Sequence, residues 1–218
     1  MSNIISSIAP LIDENMLRVS LSLSLMAFFP ALLICSTCFL RIIIVLSMIR
    51  HAFGMPETPP NIALVALSLF LTVFIMKDTS TSISEEALFP YLNGEIGLEQ
   101  FLGLGASNLK SFMLSQVSPE ELHFIYDLRS LPYPESVASV SLLNLIPAYM
   151  IHELQTSFTI GFLVLLPFLL IELIVASILL SLGMMMVPPA TISLPIKVVV
   201  FVLIEGWALI VQGLVGSF

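Results

Sequence analysis

Between positions 154 and 196 the chain carries a single ionisable side chain, Glu172. A water-soluble domain cannot bury a run of that length and still cover itself with polar groups. The run therefore commits the chain to a bilayer or to apolar neighbours. Composition agrees: 58% of residues are hydrophobic and 10% are charged, against about 25% charged in soluble domains. With a mean hydropathy of +1.07, the sequence reads as an all-α membrane protein.

Four apolar blocks organise it. Residues 20–40 are free of charge and long enough to span a bilayer. Arg41 interrupts them, and the apolar pattern resumes until Arg50 and His51. Pro30 predicts a kink in this block. Gly54, Pro56, Pro59 and Pro60 predict a turn. Residues 61–76 are uncharged but short for a free-standing span, and they suit a helix packed in a hairpin against the first block. The third block runs from about 142 to 182. Gly183 and the pair Pro188-Pro189 break it, and the fourth runs from 192 to the end with Lys197, Glu205 and Trp207. The expected fold is two hairpins of hydrophobic helices, at 17–77 and 142–218. They flank a small polar helical domain at 78–141, and a short segment, 1–16, precedes them. That segment lacks a basic region and an A-x-A cleavage site, so no signal peptide is expected.

The net charge is −8, from fifteen acidic and seven basic residues, which argues against a nucleic-acid partner. Nine of the carboxylates lie between Asp78 and Glu135. Phe101, Leu104, Leu109, Phe112 and Met113 recur near helical spacing and predict an amphipathic helix over 97–116. Ser118-Pro119-Glu120-Glu121 reads as a capping box with proline at the first helical position. It opens a second short helix that runs to about Arg129. These helices read as a packed cap or connector without chemistry. Arg41, Arg50 and His51 place the first turn in the cytoplasm, with the polar domain and both termini on the other side.

No nucleophile–base pair, cofactor motif or metal-ligand cluster stands out, so neither catalysis nor a cofactor is expected. Cys35 and Cys38 read as small packing residues. Glu172 is costly in an apolar run, roughly 2.5–3.5 kcal/mol on insertion scales, and calls for a partner. Lys197, the only basic residue after Arg129, is the candidate. A turn spanning 183–195 would leave the two more than about 10 Å apart in height. The pair then needs a lopsided turn or a staggered neighbouring copy. It can serve either assembly register or ion coupling. Glu153 reads as a helix cap or an intersubunit partner. Met184, Met185 and Met186 put flexible, polarizable side chains at a helix end. In a ring of copies they would form a compressible apolar collar.

Several motifs carry a resemblance to a known family. They are Arg41-Ile42-Ile43-Ile44-Val45-Leu46-Ser47, Pro59-Pro60-Asn61 and Leu69-Phe70-Leu71-Thr72 in the first hairpin. Ile146-Pro147-Ala148-Tyr149, Glu153-Leu154 and Ile160-Gly161-Phe162 follow in the third block. The run from Leu182 through Met184-Met185-Met186-Val187-Pro188-Pro189 to Ile192, with Leu194-Pro195 and Gly206-Trp207, completes the set. Over about 17–77 and 142–218 the chain resembles the FliP family of flagellar type III export-gate subunits, relatives of the injectisome subunit SctR.

The resemblance implies a homo-oligomer of five copies that assembles with FliQ and FliR into a helical, conical complex, with FlhB and FlhA nearby. It would sit in the bacterial inner membrane at the flagellar basal body, contacting lipid and displaced toward the periplasm. Unfolded flagellar proteins would pass through its centre. Met184, Met185 and Met186 would form a gasket around the closed pore. Glu172 and Lys197 would form the family's intramembrane charge pair, and Glu153 and Arg41 would serve subunit contact. Arg41 and the double proline favour the flagellar over the injectisome branch. An ion-coupled transporter is the remaining alternative, and the sequence shows no repeated halves to support it.

Overall fold

The computed structural model describes residues 14–54, 57–134, 136 and 139–218. Every regular element among them is helical. Residues up to Cys35 and those from Ser36 onward form two separate compact units. The first unit holds most of α1 (Glu14–Ser36). Pro30 lies inside α1, which continues past it to Ser36.

In the second unit, α2 (Phe39–Ala52) follows directly. The interruption expected at Arg41 falls instead at Thr37 and Cys38, and Arg41 sits in the first turn of α2. Serine and threonine compete for backbone hydrogen bonds and favour helix ends, so the Ser36-Thr37 step is where the helix yields. α3 (Asn61–Ile75) returns beside α2. It then bends by 67° into α4 (Lys77–Leu92), which holds a π-helical turn at Ser84–Leu88. The sequence pattern did not show α4, because polar Lys77-Asp78-Thr79-Ser80-Thr81-Ser82 carries no apolar period.

α5 (Leu98–Gln116) and α6 (Pro119–Leu128) complete the polar region. Ser118 is the N-cap of α6, and its hydroxyl bonds the Glu121 carboxylate. Glu121 also meets His152 Nδ1 at 3.1 Å, which ties α6 to the next helix. Partial burial pushes the Glu121 carboxyl up, but the Ser118 and His152 hydrogen bonds outweigh it, and the group lies below its ordinary value.

α7 (Leu142–Ser181) is the mast of the unit. Among the described residues it is the one single helix long and apolar enough to cross a membrane. The bent pair α3–α4 also passes that test when taken as one span. α2, α5, α6 and α8 all pack on α7. Its buried positions include Leu145, Tyr149, Glu153, Ser157 and Gly161. A four-residue step keeps these on one face. Large apolar side chains elsewhere on α7, among them Phe158, Phe162, Leu163, Leu170 and Leu173, are exposed.

α7 ends in a Schellman turn. Gly183 adopts φ +73°, its N–H bonds Leu180 O, and Met184 N–H bonds Leu179 O. α8 (Pro189–Leu203) starts with proline at its first position, where the missing N–H does no harm. α9 (Gly206–Val215) follows after a 65° bend. Glu205 at that bend sits in the left-handed region, φ 50° and ψ 47°. The fourth block is therefore two helices, where the sequence suggested one.

Two hydrophobic clusters fill the unit. One joins α2, α3, α7, α8 and α9 around Ile42, Leu46, Ile49, Phe168 and Phe201. The other joins α5, α6 and α7 around Met113, Ile125, Leu145 and Tyr149. At the crossing of α2 and α7, a Cβ on Gly161 would lie 2.4 Å from Met48 Sδ and 3.3 Å from Met48 Cβ. Glycine at this position leaves the room that the Met48 side chain occupies against α7.

Gly161→Val should lower stability by about 1–3 kcal/mol through overpacking. The second change Met48→Ala should recover most of that loss. Thermal unfolding of the detergent-extracted protein checks both variants.

Candidate functional site

Two carboxylates on α7 organise the interior of the second unit. Glu153 is 0% exposed and Arg41 of α2 is 1% exposed. Arg41 Nε donates to Glu153 Oε2 at 2.9 Å, and Arg41 Nη2 donates to Glu153 Oε1. This is the bidentate fork that arginine makes and lysine cannot. Arg41 Nη1 donates to the Ser217 carbonyl at 2.7 Å and to its hydroxyl at 3.1 Å. Arg41 Nη2 also reaches Gln116 Oε1 at 3.4 Å. All five guanidinium donors are thereby used. Phe218 covers the guanidinium, its ring centroid 3.7 Å from Cζ, in a cation–π contact. α2, α5, α7 and the last two residues meet at this one ion pair.

The resemblance assigned Glu153 and Arg41 to a subunit contact. In the structure the two are buried against each other within one chain. The reason is geometric: Arg41 starts α2 on the face that packs against α7, at the level of Glu153. Gln116, Ser217 and Phe218 complete the site, and sequence reasoning missed them. Nothing in their types or spacing marks them, because only the folded path of α5 and the chain's end brings them to Arg41.

Further along α7, Glu172 Oε2 accepts from Lys197 Nζ at 2.7 Å. Lys197 Nζ also donates to Ala52 O at 3.2 Å. Ala52 ends α2, so the ammonium sits at a helix C-terminus, where a cation is favoured and a free carbonyl needs a donor. The pair closes within one chain because the turn is shorter than the sequence suggested. α8 restarts at Pro189, and Pro195 lies inside it. Glu172 then stands about nine residues before Ser181 and Lys197 about eight after Pro189, so their heights match within about 2 Å. Burial is unequal: the Lys197 side chain is 5% exposed and the Glu172 side chain 40%. Phe53, Phe168 and Phe201 pack at the neighbouring level, with Phe53 4.8 Å from Phe201. Trp207 extends this cluster, 5.4 Å from Phe201.

The hairpin ends in the methionine loop. Met184, Met185 and Met186 are 43%, 81% and 97% exposed. The Schellman turn on one side and Pro188-Pro189 on the other hold the loop's two ends, so three thioether side chains project at the tip. Cys35 and Cys38 are both free thiols. Cys38 is buried in the main cluster, its sulfur 3.9 Å from Thr72 O. Among the described residues no three His, Cys, Asp or Glu side chains come together as a metal site would need.

Comparison with known proteins places this geometry in context. A sequence model described as the FliP family matches residues 22–214. The flagellar biosynthetic protein FliP of Bacillus subtilis (strain 168) is 41% identical over 216 residues, covering 99% of this chain and 98% of its own. The protein of the same name from Pectobacterium carotovorum is 45% identical over 196 residues, 90% of this chain and 76% of its own. The one from Aquifex aeolicus is 44% identical over 205 residues, 93% of this chain and 85% of its own.

The two ion pairs should respond differently to truncation. Glu153→Ala leaves a buried, unpaired guanidinium and should destabilise by about 3–5 kcal/mol. The double change Arg41→Met with Glu153→Leu should cost markedly less, as read by chemical or thermal unfolding in detergent. For the second pair, Glu172→Ala strands an ammonium enclosed by the chain, while Lys197→Met strands a carboxylate that the chain covers far less. The Glu172 variant should therefore be the less stable of the two in the same assay.

Proposed function

The chain belongs to the FliP family, and from that premise we propose that it is a subunit of the flagellar type III export gate. In this reading several copies join FliQ and FliR around a central channel that conducts unfolded flagellar proteins across the bacterial inner membrane. FlhB and FlhA lie nearby, and the assembled complex is displaced toward the periplasm.

The observation that carries the reading is the loop between α7 and α8. Three methionines stand exposed at the tip of the hairpin, between a Schellman turn and a double proline that hold its two ends. Exposed side chains of this type are unfavourable in water and find use where they meet apolar or sliding surfaces. Methionine is unbranched and adaptable, so a ring of such loops can close against ions and still deform around a passing chain. The exposed apolar faces of α3, α7 and α8 support assembly, since they need lipid or neighbouring subunits as cover. Within this reading the Glu172–Lys197 pair fixes the register of α8 against α2 and α7 and so sets where the methionine loop stands. The assembled gate, and not the isolated chain, is the functional unit.

Replacing Met184, Met185 and Met186 together by alanine should make the resting gate leak small ions while export of flagellar proteins continues. Ion flux across inner-membrane vesicles, alongside a count of secreted flagellar protein, measures both. Unchanged ion flux in the triple variant would remove the gasket role.

A further inference from the structure

The bend between α8 and α9 turns on one residue. Glu205 stands in the left-handed region, φ 50° and ψ 47°, where an L-residue brings its Cβ against the following carbonyl oxygen. Helices often end on a left-handed residue, but that residue is usually glycine and sometimes asparagine. Glutamate has neither glycine's freedom nor asparagine's short polar reach. The helical ladder gives way at the same place. Glu205 N–H bonds Val202 O at 3.2 Å, three residues back instead of the four of an α-helix. The Phe201 ring takes the place that a Cβ on Gly206 would fill, with Cε2 2.1 Å from it. Phe53, Phe168 and Trp207 pack around that ring. A cavity of about 190 Å³ remains where α7, α8 and α9 meet, between Pro167, Phe168, Ile204, Leu209 and Ile210. The bend is strained at one residue and incompletely filled beside it.

What holds α9 in the bent position lies beyond Glu205. Ile210 and Leu214 join the main apolar cluster. Arg41 Nη1 holds the Ser217 carbonyl and hydroxyl, and the Phe218 ring covers the guanidinium. Gln116 Nε2 donates to Phe218 O at 3.5 Å. Away from this clasp α8 and α9 need no bend. With Glu205 in the right-handed region the ladder runs through, the strain at Glu205 is released, and Pro189 to Val215 form one helix about 40 Å long. Together α8 and α9 pass the length and composition test for a membrane span. We infer that α9 is a strap with two positions: bent at Glu205 with its end clasped by Arg41, as in this structure, or straightened on α8 into one continuous helix with the clasp released. Arg41 keeps its fork with Glu153 in both positions. The strap is separate from the methionine loop, and it stands whether or not that loop seals a pore.

The test is a distance measured by pulsed electron paramagnetic resonance on the full chain in nanodiscs, with labelled chains diluted into unlabelled ones. Cys35→Ser with Cys38→Ser clears the native thiols, and nitroxides are placed at Thr159→Cys on α7 and Gln212→Cys on α9, both exposed positions. Gln212 lies seven residues past Glu205, or about 10 Å along the helix. Undoing the 65° bend therefore moves it by about 10 Å and gives a second, longer distance. Gly206→Ala puts a Cβ where the Phe201 ring lies and should raise the long population about tenfold over the parent. Phe218→Ala loosens the clasp and should also raise it. Glu205→Gly removes the penalty of the left-handed region and weakens a continuous helix, so it should lower the long population about tenfold when added to either variant. One short distance in both Gly206→Ala and Phe218→Ala would overturn the proposal. A long population that Glu205→Gly leaves unchanged or raises would also overturn it. So would a broad smear of distances with helix content lost by circular dichroism, since that describes a frayed α9 and not a straightened one.

Discussion

The second unit depends on the buried pair of Arg41 and Glu153. Removing two charges from water carries a desolvation penalty of several kcal/mol per ion, and only excellent geometry offsets it. Here the geometry meets that demand, with two bonds between the partners and the remaining guanidinium donors spent on Ser217 and Gln116. The pair therefore adds little net stability over an apolar core, but it is unforgiving of error. Any slip of α2 along α7 would strand a charge. It fixes the axial register of the first hairpin against the long helix and draws the end of the chain onto the same point.

That register propagates. α2 is pinned near its start by Arg41, and its last carbonyl, from Ala52, receives the Lys197 ammonium. Lys197 also bonds Glu172, so α8 is referenced to both α2 and α7. Between the two polar points, Gly161 leaves room for the Met48 side chain against α7, and Ile42, Val45, Leu46 and Ile49 fill the contact. The Schellman turn at Gly183 then stops α7 at a set height. The position of the methionine loop is in this sense the last step of a chain of constraints that begins at Arg41.

Much of this was legible in the residues. The Ser118-Pro119-Glu120-Glu121 signature marked the start of α6, with proline at its first position, although the Ser118 hydroxyl bonds the Glu121 carboxylate in place of the backbone N–H that a capping box requires. The amphipathic period gave α5, and the apolar run gave α7. Glu172 announced itself as a lone carboxylate that needed Lys197. Two of the misreadings share one cause: long apolar blocks carry no period to show where a helix breaks. The interruption at Thr37-Cys38 and the bend at Glu205 are set by local backbone geometry and tertiary packing, so an apolar block looked continuous or broke at the wrong residue. α4 was invisible for the opposite reason, since its first turns are polar and it is held by its contacts with α5. The turn after α7 was read as too long because Pro195 was taken as part of it. Proline at position 195 is tolerated inside α8, where the helix continues to Leu203. The partners of Arg41 other than Glu153 lie far away in sequence, and no local pattern could name them.

The family places the chain among flagellar biosynthetic proteins, and the structure supplies a hairpin whose tip exposes three methionines. The most direct measurement is a cryo-electron microscopy map of the particle extracted in mild detergent, with the α7–α8 loops traced in every copy. Met184, Met185 and Met186 should converge on a common axis and narrow it, with the exposed faces of α7 turned toward neighbouring subunits or lipid. Loops splayed around the outer rim of the particle, with no conduit between them, would contradict the proposed gate.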